Sequence, residues 1–293
     1  MAKTSWGMSR QIEQRYARKL QEIRRVIMSE LRGATTTAEV SRRLQIIANR
    51  PEFIDFVENM ATNMAMQVYR QTGVQWRRQA QEASRRRGQV IFNALQNELD
   101  NPLIGGTIRD IVRNNASLIK TIPNRLDAEM VTQLAANNAF AGMRGEQIVA
   151  DILGKSDNLL EWQARRIART ETAKAQSALT QVRSLAIGAD WYVWRTAMDG
   201  ERVREAHRHM EGILVAWNEP PQPEQLAGVS GATRQAVQPY HAGNIYNCRC
   251  YSRPLLDIDD VSWPHRVFHN GVVRNMSRAE FGQISGMLNR LAY

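Results

Sequence analysis

At 293 residues, with 43% hydrophobic and 23% charged side chains, the chain has the composition of a globular protein large enough for one large or two medium domains. Two cysteines exclude a disulfide-built scaffold and suit a reducing cytoplasm. No apolar run approaches the roughly 18 residues of a spanning helix, and Arg10, Arg15 and Arg18 interrupt any secretory core, so no membrane partner is expected. The net charge of +10 is unevenly placed: residues 1–87 hold 17 Lys and Arg against 8 Asp and Glu, the remainder 22 against 21. No phosphate loop, nucleophile elbow or internal repeat is present.

In chain order, Ile12, Tyr16, Leu20, Ile23, Ile27 and Leu31 recur at three- and four-residue steps, which predicts an amphipathic helix ended by Gly33. Thr36-Thr37-Ala38-Glu39 reads as the start of a second helix through Val40, Leu44 and Ile47 to Asn49. Pro51 opens a third, lined by Phe53, Val57, Met60, Met64 and Val68. Trp76-Arg77-Arg78 and Arg85-Arg86-Arg87 are the densest basic points, expected on one long helix that runs to Asn101-Pro102. Clustered arginine suits phosphate or acidic protein surfaces, so Arg77, Arg78, Arg85, Arg86 and Arg87 are candidate DNA contacts; a solvated helical face is the plainer reading. Trp76 is expected to pack against a neighbouring helix rather than stack on a base. Leu103–Gly106 reads as a loop, with helices from Thr107 to Ile119 and from Asp127 to Phe140. A turn and a short helix follow, and Ser156 or Asp157 is expected to cap a long helix to Ile187. Glu171 falls on its apolar face; a buried carboxylate needs a partner, and Arg202 or Arg204 is the expected one.

The stretch from Trp191 to Leu256 holds both cysteines and three of the five histidines. Trp191–Thr196 and Ile213–Trp217 read as strands. Between them lies a short helix whose inward face carries Val203, His207 and Met210, while His209 points out. Strand alternation through Cys248-Arg249-Cys250 sends both sulfurs to one side. Two thiols and one imidazole can converge to hold zinc, with His241 as the expected fourth ligand. Two buried thiols beside a core histidine, or a strained Cys248–Cys250 disulfide, are the alternatives.

Trp194-x-Thr196-x-x-Asp199-x-x-Arg202-x-Arg204-x-x-His207-x-x-x-x-Gly212, followed by a Pro/Gly loop and Asn247-Cys248-Arg249-Cys250, resembles the minor head proteins of tailed phages, the head-morphogenesis proteins of the Mu F type. Arg169-Thr170-Glu171 upstream resembles the family's Arg-Thr-Glu element. The family usually brings a Pro-Gly or His-Pro approach close to its first cysteine, whereas here His241–Asn247 intervenes. The resemblance implies a non-enzymatic virion protein associated with portal and coat proteins, in several copies, acting in head assembly and DNA packaging or delivery. It also implies structural roles for Asp199, Arg202, Arg204 and Glu171. A zinc-dependent nuclease or toxin-like transferase, and a free nucleic-acid-binding protein, are the competing functions.

The expected fold is mainly α: a helical N-terminal scaffold (1–156), a small α+β module with a Cys/His cluster (157–256) and a C-terminal tail (257–293). In the tail, Asn270-Gly271 predicts a hairpin, and Ser277–Glu280 a capped final helix through Leu288.

Overall fold

The computed structural model describes residues 6–83, 85–98, 100–136, 144–197, 203–229 and 238–286. The fold is mainly α with a small α+β module near the C-terminus, as expected. Seven helices come first: α1 (Arg10–Leu31), α2 (Thr37–Asn49), α3 (Pro51–Glu82), α4 (Arg85–Gln96), α5 (Pro102–Lys120), α6 (Ile122–Ala136) and α7 (Gly145–Ala186). β1 (Trp191–Arg195), α8 (Glu205–Met210), β2 (Leu214–Ala216), α9 (Pro223–Leu226), β3 (Tyr251–Pro254), β4 (His265–His269), β5 (Val272–Met276) and α10 (Arg278–Ser285) complete the order.

The chain divides into two compact units. One comprises 10–67 and 108–171. Its α1 stripe is the predicted one, with Tyr16, Leu20, Ile23, Ile27 and Leu31 buried. Thr36 caps α2 by accepting from the Glu39 amide at 3.2 Å. Within the same unit Arg24 forks onto the Asp157 carboxylate at 2.6 and 2.5 Å, clamping α1 to α7.

The other unit comprises 1–9, 68–107 and 172–293. Here α3 and α4 are separate helices, where one was expected. A Cβ on Gly88 would lie 2.4 Å from the Ala80 carbonyl oxygen, so the chain doubles back and only glycine permits the approach. Trp76 is buried edge-on to Trp6 at 4.9 Å, with Ile91 beside them. Two further boundaries differ from expectation. α5 starts at Pro102, with Asn101 Oδ1 accepting from the Leu103 amide at 3.0 Å, so Gly105 and Gly106 lie inside a helix that its cap nucleates. α7 runs unbroken from Gly145 through Ser156, which is buried rather than capping, so the expected boundary at 156–157 falls inside a helix.

The sheet has the order β3-β1-β2-β4-β5. β1 pairs antiparallel with β2 and β3, β2 pairs parallel with β4, and β4–β5 is the predicted hairpin, with Asn270 and Gly271 at φ 50° and 77°. The tail is therefore part of the sheet. Alternation divides the side chains cleanly. Trp191, Val193, Leu214, Ala216 and Val267 face one core with Phe281 of α10, while Tyr192, Trp194, Val215 and Phe268 face the other. The second core carries the cysteines.

Candidate metal centre

α8 is short and is held by its ends. The Gly212 amide, at φ 78°, donates to the Trp194 carbonyl at 2.9 Å and turns the chain from α8 into β2. Glu211 accepts from the Thr196 amide at 2.6 Å and pairs with Arg195 at 3.0 Å, hooking α8 to the end of β1. With the helix so fixed, Val203, His207 and Met210 are buried and His209 is exposed, as the spacing predicts. Asn247, at φ 55°, bends the chain into Cys248-Arg249-Cys250, an extended segment just before β3 rather than part of a strand.

His207 Nδ1 lies 3.6 Å from Cys248 Sγ and 3.4 Å from Cys250 Sγ, and the three donor atoms are all within 4.8 Å of one another. Exposures of 3%, 3% and 6% exclude bulk solvent from them. Both cysteines are free thiols, which removes the disulfide alternative. The Cys250 amide donates to Cys248 Sγ at 3.3 Å. The hydrogen bond from the Cys250 thiol is the largest cause that holds Cys248 well below the usual thiol range. That same bond and burial push Cys250 up. The buried Trp194 indole N–H makes no ordinary hydrogen bond, and it favours the thiolate of Cys250.

On its far side His207 Nε2 meets the Tyr240 hydroxyl at 2.8 Å, and that hydroxyl donates to Glu224 Oε1 at 2.8 Å. Tyr240 has one proton and gives it to Glu224, so His207 Nε2–H must be the donor to Tyr240 and Nδ1 carries the lone pair. Glu224 and burial together push the Tyr240 phenol far above its ordinary range, burial being the larger cause. Spacing gave no hint of Tyr240 or Glu224; Glu224 lies on α9 and Tyr240 in the segment before the cysteines.

His241 does not join this group. With its neighbour Tyr240 aimed at His207, His241 turns away: its Nδ1 meets the Tyr192 hydroxyl at 3.1 Å and its ring packs on Trp217. Burial pulls it down to about 4. Its Nδ1 is therefore taken by a tyrosine hydroxyl and not by a thiol.

Other expected residues are placed as follows. Asp199 and Arg202 lie outside the described residues. Arg204 donates to the Tyr246 carbonyl at 3.0 Å and lies over that ring at 4.5 Å. Glu171 is buried, and its charge adds to burial in raising the Tyr16 phenol; Arg169 beside it pairs with Glu13 at 3.2 Å. Arg77 and Arg78 are exposed, the Arg85 and Arg86 side chains lie outside the described set, and Arg87 pairs with Asp257.

Among known proteins, a curated Haemophilus influenzae (strain Rd) protein described only as uncharacterised is 29% identical over 160 residues, covering 54% of this chain and 31% of its own length. No solved structure matches. Residues 129–253 match the family of Phage Mu protein F like proteins. The resemblance read from the Arg169–Cys250 motif is borne out to this extent: residues 129–253 are similar to Phage Mu protein F like proteins.

Proposed function

We propose that the chain is a minor head protein of a tailed phage, held near the portal, acting in head assembly and in DNA packaging or delivery. The carrying observation is the family match over 129–253, whose C-terminal part contains β1, α8, β2 and the His207–Cys248–Cys250 cluster. Its role is structural: the cluster that a metal-dependent enzyme would use is sealed at 3–6% exposure, which leaves a substrate no approach. Portal and coat proteins are the main partners. The apolar stripes of α1 and α3 are spent on the helical core, and exposed Arg77 and Arg78 give any DNA contact a phosphate-binding, secondary character.

Mass spectrometry and cryo-EM of purified particles from the encoding phage or prophage test this. The expected result is the chain inside the head at the portal vertex, with heads failing to assemble or fill when its gene is deleted. Normal, filled, infectious particles without the chain would refute the proposal.

A further inference from the structure

The cluster carries an imbalance. One imidazole lone pair faces two thiols at 3.6 and 3.4 Å, and it can accept only one proton. The Trp194 N–H has no ordinary acceptor, and Glu224, 4% exposed, has an Oε2 with no partner among the described residues. Buried polar groups are ordinarily satisfied, and a buried negative charge needs a cation. A divalent cation between the three donors resolves the first two and offsets the charge of the third. It takes the lone pair and both sulfurs, makes both thiols thiolates for the Trp194 and Cys250 N–H groups to stabilise, and supplies the positive charge that Glu224 faces through Tyr240 and His207. The spacing fits. Zn–S of about 2.3 Å and Zn–N of about 2.0 Å at a tetrahedral angle give N to S edges of about 3.5 Å. Two sulfurs and a nitrogen in a tetrahedral set select zinc over the harder cations.

We propose that His207 Nδ1, Cys248 Sγ and Cys250 Sγ hold one zinc ion as a clamp between α8 and the start of β3, with Tyr240 and Glu224 as the positioning residues that keep His207 in its ligating tautomer. The carboxylate–histidine pairing usual behind zinc is here extended by one phenol. The described residues supply no fourth donor within that radius. The clamp stands or falls independently of the virion role.

Full-length protein purified without chelator should contain one zinc per chain. Replacement by cobalt should give thiolate-to-metal charge transfer and tetrahedral d–d bands. Tyr240→Phe keeps all three ligands but breaks the relay. In competition with a chromophoric chelator it should bind zinc 10–100-fold more weakly, with an unchanged far-UV spectrum and unshifted cobalt bands. Cys248→Ser should abolish stoichiometric metal. Should that variant fail to fold, stripping the wild type with chelator makes the same comparison, and its melting temperature should fall. Zinc well below one equivalent in folded wild type, or a melting temperature indifferent to stripping, overturns the clamp. An unchanged affinity in Tyr240→Phe overturns the relay.

Discussion

At the scale of single residues, the largest commitments are buried charges that the sequence pattern does not flag. Arg183 forks onto Glu98 at 2.7 and 3.0 Å with both side chains under a tenth exposed, bonds Thr72, and stacks over Tyr69 at 4.7 Å. Removing one partner strands the other, so Glu98→Gln should cost on the order of 3–5 kcal/mol in chemical denaturation. The double replacement Glu98→Leu with Arg183→Met should cost less than either single change, because no charge is left unpaired. A single-variant loss under about 0.5 kcal/mol, the range of ordinary surface changes, would refute this. His241 makes a different kind of commitment. Burial pulls it from 6.5 to about 4, so between those values the unfolded chain binds a proton that the folded chain refuses. Its contribution is therefore complete above pH 6.5 and is lost as pH falls towards 4, amounting to about 3 kcal/mol over that window. His241→Gln should flatten this part of the pH–stability curve, measured as denaturation midpoints from pH 7 to 4.5. Parallel curves for variant and wild type would contradict the assignment.

At the scale of elements, two glycines in helices should respond to alanine with opposite signs. Gly88 on α4 faces the Ala80 carbonyl, 2.4 Å from where a Cβ would sit, so Gly88→Ala must push α4 off α3 and should destabilise by about 1–3 kcal/mol. Gly154 within α7 has nothing within 4 Å of that position, and Gly154→Ala should stabilise by about 1 kcal/mol through helix propensity alone. Thermal melts of the two variants check both signs. These positions also mark where the sequence was legible. α1 and α2 read correctly because each buries one stripe at helical period, and β1 and the Asn270-Gly271 hairpin because alternation and turn chemistry are local. The turn between α3 and α4 was illegible because it depends on a contact eight residues apart that no periodicity encodes. Gly105-Gly106 misled for the opposite reason: a loop composition was overridden by the Asn101–Pro102 start. In the candidate metal centre the three donors were found, since the inward side of α8 gives His207 and alternation through C-x-C gives both sulfurs. Tyr240 and Glu224 were not. Tyr240 and His241 are adjacent, and only the direction of the loop decides which of them faces His207.

At the scale of the whole molecule, the basic excess of the first third is less available than its count implies. Arg87 is engaged by Asp257, so the triple replacement of Arg85, Arg86 and Arg87 should lower the salt slope of duplex DNA binding by at most about two units rather than three, at about 0.9 per phosphate. Titrations at several salt concentrations measure it, and a drop of three would mean that Asp257 releases Arg87 on binding. The sheet order has a consequence for how the chain is made. β1 finds its partners at Leu214–Ala216 and at Tyr251–Pro254, and β2 finds its second neighbour only at Val267. On the ribosome β1 and β2 therefore emerge as a narrow pair with both long edges open, and the flanking strands arrive dozens of residues later. Closing such distant pairings is slow, and open edges recruit other chains meanwhile. Nascent chains halted at residue 253 carry every residue of the family-matched segment yet lack β4 and β5. They should accumulate as aggregates, while chains that continue past Ser285, and so carry β4, β5 and α10, should be soluble.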